Sequence, residues 1–323
     1  MLILQKLFMD YFYLIGGILL LILSGNWLVK SGSSIAEYFK IPPFIVGVTI
    51  ISLGTSAPEL FVSLNATLSG SPDIAIGNIV GSNIANIGLV LAITALVINI
   101  PVKKSTIRFD FPVLIIATIL FIIFMLDLRI SRVEGIIMMG LMLIYILVII
   151  KMNWHKSKKA DGFDDKRNKS KITNPLKPIV IIVISCGGLL LGSNILVEGA
   201  GNIAKDMGIS ERVISITVIA FGTSIPELAT SVIAAFKKEI DISVGNIIGS
   251  NIFNILVIAG VSSTVRPLDV NPSTISFDIY FLLGFVVLTG LFFLPLKKPV
   301  ITRFKGFIYL FAYFAYYVIL FYN

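Results

Sequence analysis

The sequence predicts an all-α polytopic membrane protein of ten transmembrane helices, built as two inverted five-helix repeats, and three observations carry that prediction. Of its 323 residues 56% are hydrophobic and only 14% charged, with a mean hydropathy of +0.96. Apolar runs of the roughly 20 residues that a helix needs to cross a ~30 Å hydrocarbon core recur almost from end to end. Identical polar motifs return inside those runs at one unbroken offset of 168 residues.

The composition excludes a water-soluble enzyme and a secreted disulfide scaffold. The net charge of +8 is read as a record of membrane orientation, not as a nucleic-acid surface. Cys186 is the only cysteine and lies within a span, which leaves no intramolecular disulfide and no thiolate metal site. The first apolar stretch is too long for a signal-peptide core and ends at Ser24-Gly25-Asn26-Trp27 without a small-x-small cleavage pattern, so no cleaved leader is expected.

Charges, prolines and short polar clusters divide the chain into spans at roughly 12–37, 43–69, 73–98, 109–127, 132–151, 177–204, 212–236, 241–264, 274–295 and 301–321. Helices follow because the segments exceed strand length and lack the period-2 alternation of a barrel. Domain boundaries follow as a first five-helix repeat over 1–151, a basic linker over 152–176 and a second repeat over 177–323. With the amino terminus on one side, that side carries six Lys and Arg and the opposite side nineteen; Lys30 lies within the first span. The excess places the linker side in the cytoplasm and both termini outside a cell membrane. The loop from Lys151 to Lys177, with nine basic residues and Asp161, Asp164 and Asp165, reads as a solvated linker between the halves. An anionic-lipid switch is the alternative. His155 there has no partner with which to build a metal site.

Gly54-Thr55-Ser56-Ala57-Pro58-Glu59-Leu60 matches Gly222-Thr223-Ser224-Ile225-Pro226-Glu227-Leu228, and Gly77-Asn78-Ile79-Val80-Gly81-Ser82-Asn83-Ile84-Ala85-Asn86 matches Gly245-Asn246-Ile247-Ile248-Gly249-Ser250-Asn251-Ile252-Phe253-Asn254. Asn26 pairs with Asn194 and Thr49 with Thr217 at the same offset. Five crossings return the second copy to the membrane from the opposite side, so the halves are inverted, as in many secondary transporters.

Glu59 and Glu227 are read as the two acids well within spans. A carboxylate there costs on the order of 3 kcal/mol, so it requires a cation, a proton or a polar partner. The neighbours supply oxygen: Thr55 and Ser56 stand four and three positions before Glu59, which in a helix puts all three on one face, Thr223 and Ser224 stand likewise before Glu227, and Ser82 with Asn86 and Ser250 with Asn254 are four apart. Gly54 with Pro58 and Gly222 with Pro226 loosen the helix, and the carbonyls of Ser52 and Ala220 are expected to be left unpaired. Two bidentate carboxylates and two carbonyls offer about six oxygens, which suits Ca²⁺; the absence of His and Cys argues against zinc or copper. The same cavity, with hydroxyl and amide oxygens added, suits several Na⁺. Either load relieves the buried charge, so obligatory counter-transport is expected. The Gly77-x-x-x-Gly81 and Gly245-x-x-x-Gly249 pairs read as close helix-packing faces, and Lys30 and Glu198 as snorkelling side chains.

On these motifs the sequence resembles the sodium/calcium exchanger branch of the cation/calcium antiporter superfamily, and its two copies look like that family's alpha repeats. The resemblance implies Ca²⁺ at Glu59 and Glu227, with the carbonyls of Ser52 and Ala220 and the Thr55 and Thr223 positions completing its shell. It implies outer Na⁺ sites at Ser56, Ser82, Ser224 and Ser250, and Asn86 and Asn254 at the centre. It further implies a core of the second, third, seventh and eighth spans, across which the first and sixth slide. Asn254 stands where some relatives carry an Asp, which argues against potassium dependence, and the short linker leaves no room for cytoplasmic calcium-sensing domains.

The function expected is Na⁺/Ca²⁺ antiport, with Ca²⁺/H⁺ exchange as the alternative because two glutamates could take two protons. A channel is a further competitor. An intramembrane enzyme is not expected, since no span contains a His or a His-Glu-x-x-His motif. No cofactor beyond the transported ions, no nucleic acid and no obligatory protein partner is expected; the lipid bilayer is the medium.

Overall fold

The computed structural model describes residues 2–159, 174–208, 220–294 and 299–322. Its helices are α1 (Leu2–Tyr38), α2 (Pro43–Thr55), α3 (Ala57–Leu68), α4 (Pro72–Val97), α5 (Thr106–Met125), α6 (Arg132–Lys159), α7 (Leu176–Asp206), α8 (Ala220–Thr223), α9 (Ile225–Phe236), α10 (Ile240–Val265), α11 (Thr274–Phe293) and α12 (Arg303–Tyr322). Eight of the described helices are long and apolar enough to cross a membrane; α2 and α3 form a further candidate span bent by 46°, and α9 is a shorter apolar helix. The chain is thus an α-helical, multi-pass membrane protein. Helix α6 continues past the expected boundary at 151 to Lys159. The expectations for Asp161, Asp164 and Asp165, for the His155 side chain and for the Thr217 match fall outside the described residues.

The duplication read from sequence is also a duplication of local structure. Helices α3 and α9 share the 168-residue offset at both ends, and so do the π-helical stretches Asn86–Leu91 and Asn254–Ala259 and the stretches Thr106–Asp110 and Thr274–Asp278. Left-handed turn residues recur in the same register: Lys40 at φ 53° corresponds to Gly208 at φ 80°, and Gly70 at φ 76° to Lys238 at φ 62°. Each turn keeps its conformation although only one copy has the glycine that adopts it without strain.

Short antiparallel ladders tie the connections together. Strand β1 (Ile100–Pro101) pairs with β4 (Val300–Ile301), and β2 (Arg129–Ile130) with β3 (Leu268–Asp269).

Burial ranks the helices. The apolar windows of α4 and α10 are 83% and 89% buried, whereas those of α1, α5, α6, α7, α11 and α12 are 22–33% buried. The first two form the centre and the others present wide apolar faces to lipid. A large core runs through Ile79, Ile84, Phe121, Ile252, Ile255 and Phe285. A second, smaller core around Leu21, Leu28, Ile182 and Leu189 joins α1 to α7. Those two helices touch through small residues: a Cβ added at Gly17 would lie 2.8 Å from the Leu196 nitrogen, and one at Gly199 2.7 Å from the Asp10 carbonyl.

Helix α10 meets α2 backbone to backbone. A Cβ at Gly249 would stand 2.6 Å from Val48 Cα, and Gly245 and Gly47 oppose each other. The close-packing face expected for Gly245 and Gly249 is therefore present. Gly77 and Gly81 have no described atom within 4 Å of such a Cβ; the segment equivalent to the α2 contact, around residues 215 and 216, is not among the described residues.

Candidate ion-binding site

The site is built where two helices break. At Ser56 the backbone leaves the helical region at φ −86°, ψ 9°, and at Ser224 it does the same at φ −87°, ψ 1°. A proline in the first turn of the next helix costs little, because its missing N–H would be unsatisfied there in any case. Helices α3 and α9 therefore restart at Ala57 and Ile225, which puts Glu59 and Glu227 in their first turns. The positive end of each helix dipole faces its own carboxylate.

Both glutamates are completely buried, and they lie near enough to feel each other's charge. Ser52, Thr55, Ser56, Asn86, Ser250 and Asn254 are buried to 0% exposure, and Ser82 and Ser224 to 3% and 1%. No lysine or arginine is buried among the described residues. The buried polar atoms without a hydrogen-bond partner include both oxygens of Glu59, Oε2 of Glu227, the hydroxyls of Thr223 and Ser224 and both amide atoms of Asn86 and of Asn254. Buried polar groups are ordinarily satisfied, and here the exceptions concentrate on the residues singled out by the repeat. A set of hard oxygen donors with two carboxylates fits Na⁺ and Ca²⁺ as substrates.

The two halves are not used alike. Ser56 donates to Glu227 Oε1 at 2.7 Å, and Ser250 reaches the same oxygen at 3.5 Å. The expectation that Thr55, Ser56 and Glu59 share one helical face is corrected by the break, which sends the Ser56 hydroxyl to the glutamate of the other repeat. Thr55 donates to Asn246 Oδ1 at 3.1 Å. The Ser52 carbonyl, expected to be unpaired, accepts the Ser56 N–H at 2.9 Å and the Thr55 hydroxyl at 3.4 Å. The carbonyl that a proline deprives of its helical donor is the one four residues earlier, at Gly54 and Gly222, and at Gly222 the Ser193 hydroxyl takes its place. For Ala220 the described backbone begins the short helix α8, one turn before the break.

Sequence reasoning left some residues without a role. Asn78 donates to the Glu59 carbonyl at 3.1 Å and to Ser63 Oγ at 2.8 Å, and Asn246 donates to Ser231 Oγ at 3.0 Å. Their signal was visible, since both belong to the repeated Gly-Asn pair. Two more acids lie within helices, Asp110 buried and Asp278 half-buried: Asp110 accepts the Tyr145 hydroxyl at 3.1 Å and Asp278 that of Tyr316 at 2.9 Å. They stand 168 residues apart, at span ends, outside the region where an intramembrane charge was sought. Asp10 is also buried, beside Asn202. Lys30 and Glu198 are both exposed.

A family model described as sodium/calcium exchanger protein matches residues 9–151 and 177–322. The chain belongs to the sodium/calcium exchanger family. Members similar to it include CaxA of Alkalimonas amylolytica, 38% identical over 96% of this chain and 98% of that protein. Another is the sodium/calcium exchanger MaX1 of Methanosarcina acetivorans, 29% identical over 97% and 99%. Among solved structures, the sodium-calcium exchanger NCX_Mj soaked with zero Na⁺ and Ca²⁺ superposes with a TM-score of 0.82, at 31% identity, over 97% of this chain and 99% of that one. This exchanger-family chain is therefore a cation/calcium antiporter and not an enzyme.

Proposed function

We propose that this antiporter exchanges Na⁺ for Ca²⁺ by alternating access at the Glu59–Glu227 site. The observation that carries the reading is the pair of fully buried glutamates, close enough to repel, with three of four carboxylate oxygens unpartnered and no buried basic side chain among the described residues. One Ca²⁺ cancels both charges. Several Na⁺, spread over the carboxylates and over the oxygens of Ser56, Ser82, Ser224, Ser250, Asn86 and Asn254, cancel them as well. The carbonyls of Ser52 and Ala220 and the Thr55 and Thr223 positions complete the Ca²⁺ shell. Neither load coexists with the other, and the unloaded carrier crosses slowly because it would carry two desolvated charges. The name of MaX1 as a sodium/calcium exchanger supports sodium as the counter-ion.

We further infer that the chain crosses the membrane ten times as inverted halves, over 1–151 and 177–323. Strands that hydrogen-bond lie on one side of the bilayer, so an even number of crossings separates β2 from β3. Of the segments between them α6, α7 and α10 are long enough to span, and the α8–α9 segment supplies the fourth crossing. The pairing of β1 with β4 agrees, with six. The basic side, which carries the linker, is cytoplasmic, and both termini are extracellular.

The test is ⁴⁵Ca uptake into proteoliposomes under an outward Na⁺ gradient at clamped pH. Uptake that follows Na⁺ and stops in Glu59→Gln and Glu227→Gln supports the reading. Uptake that ignores Na⁺ and follows an imposed pH difference replaces it with Ca²⁺/H⁺ exchange.

A further inference from the structure

Some site positions differ between the halves, Ser52 against Ala220 among them, but Thr55 and Thr223, Ser56 and Ser224, and Asn78 and Asn246 are the same residues in both, so the contrast in how they are used is not a contrast of side-chain type. Asn78 on α4 and Asn246 on α10 occupy equivalent positions. Each donates from Nδ2 to the equivalent serine of its own repeat, Ser63 Oγ at 2.8 Å and Ser231 Oγ at 3.0 Å. The rest of the side chain is used differently. Asn246 Oδ1 accepts the Thr55 hydroxyl of the opposite repeat at 3.1 Å. Asn78 Oδ1 accepts no hydrogen bond from a described residue; its Nδ2 also reaches the Glu59 carbonyl at 3.1 Å, and the hydroxyl of Thr223, the counterpart of Thr55, is buried without a partner. The adjacent serines repeat the contrast: Ser56 is bound to Glu227, and the Ser224 hydroxyl has no partner.

We propose that Asn246 and Asn78 are alternating positioning residues: Asn246 holds Thr55 in the state seen here, and Asn78 takes Thr223 in the state open to the other side of the membrane. A buried hydroxyl without an acceptor is costly, and the acceptor that symmetry offers Thr223 is Asn78 Oδ1. The threonine is the residue to hold. It ends the helix one position before the break at Ser56 or Ser224, so fixing it fixes the direction in which the adjoining oxygens meet the ion. The pairing crosses from one repeat to the other, so engaging one half means that α2 or α8 has moved against the opposite centre helix. The inference rests on the antiporter reading and adds to it the groups that hold each half-site in turn.

Thr55→Val and Thr223→Val remove the hydroxyl and keep the shape; Asn246→Leu removes the acceptor of Thr55 together with the Nδ2 bond to Ser231. The full chain is reconstituted in one orientation and the apparent KM for Ca²⁺ is measured at each face. One neutral buried hydrogen bond shifts a two-state ratio by about 2- to 10-fold. Thr55→Val is expected to shift the ratio of the apparent KM values at the two faces in one direction, by up to that factor. Thr223→Val is expected to shift that ratio in the opposite direction, and the double variant to return the ratio towards wild type, whatever the two positions contribute to the Ca²⁺ shell itself. Asn246→Leu should shift the ratio in the same direction as Thr55→Val, and adding Thr55→Val to it should move the ratio no further. Shifts of the ratio in the same direction from Thr55→Val and Thr223→Val, or additive shifts from Thr55→Val and Asn246→Leu, overturn the proposal.

Deuterium uptake in detergent, without ion gradients, provides a readout independent of transport. Thr55→Val should increase uptake in Ser52–Thr55 and decrease it in Ala220–Thr223, and Thr223→Val should do the opposite. If the wild type exchanges Ca²⁺ for Na⁺ but neither variant alters uptake, this proposal fails alone. If uptake responds as expected in a protein that ignores Na⁺, the sodium reading fails and the asparagine switch stands.

Discussion

Ser56 of the first repeat donates a 2.7 Å hydrogen bond to Oε1 of Glu227 in the second, while Ser224, its equivalent, leaves Glu59 without a partner. A hydrogen bond to a charged, buried group contributes about 1.5–3 kcal/mol. In ion-free detergent, Ser56→Ala is therefore expected to lower stability by about that amount and Ser224→Ala to change it little, as read from thermal melting. Equal losses in the two variants would contradict the asymmetric state.

Glu59→Gln and Glu227→Gln should each abolish Ca²⁺ exchange, since either leaves one negative charge facing a divalent ion. Both neutralise a desolvated charge and relieve the repulsion between the carboxylates. They should therefore melt at or above the wild-type temperature without ions, yet lose the rise in melting temperature that Ca²⁺ gives the wild type. A calcium-dependent rise retained in either variant would show that the ion binds elsewhere.

The backbone contact of α10 with α2 leaves no room for a methyl group. Gly249→Ala would place Cβ 2.6 Å from Val48 Cα and 2.8 Å from its carbonyl oxygen. Overpacking of this kind typically costs about 1–3 kcal/mol. The expected result is reduced monodispersity and a lowered melting temperature in size-exclusion thermal assays, with Gly140→Ala, where no atom of a described residue lies within 4 Å of the added Cβ, as the tolerated control.

Tyr145→Phe and Tyr316→Phe each remove the phenol that satisfies an aspartate, the buried Asp110 or the half-buried Asp278. The lost partner is expected to cost about 1–3 kcal/mol of stability at Asp110 and less at Asp278, where solvent can replace it. Because these pairs sit at the ends of spans and their hydrogen bonds are to each other, the Na⁺ dependence of Ca²⁺ uptake per folded molecule should be unchanged. A changed ion dependence would bring them into the transport path.

Much of the site was legible without coordinates, because the duplication marks it. Polar residues in hydrocarbon are costly, so those that recur at a 168-residue offset stand out against an apolar background; Glu59, Glu227, Asn86 and Asn254 were singled out that way, and all four are buried with unpartnered polar atoms. Asp110 and Asp278 recur at the same offset and escaped notice because they lie at span edges, where a charge is ordinary. Asn78 and Asn246 lay inside the quoted motif, but an asparagine can donate or accept in any direction, and spacing does not say which helix it will meet.

Chain order therefore determined the helical class, the broken helices and the chemistry of the site, all of which follow from local periodicity, proline and the cost of charge in lipid. Only the tertiary structure decided that Ser56 serves the glutamate of the other repeat, that Thr55 and not Thr223 is held, and that the Ser52 carbonyl already has a donor. The physical reason is that Thr55 and Thr223, and Ser56 and Ser224, are the same residues in the same local motif, so local sequence treats them alike until the two halves pack. Which copy is engaged is a property of their contact, and identical residues carry no record of it.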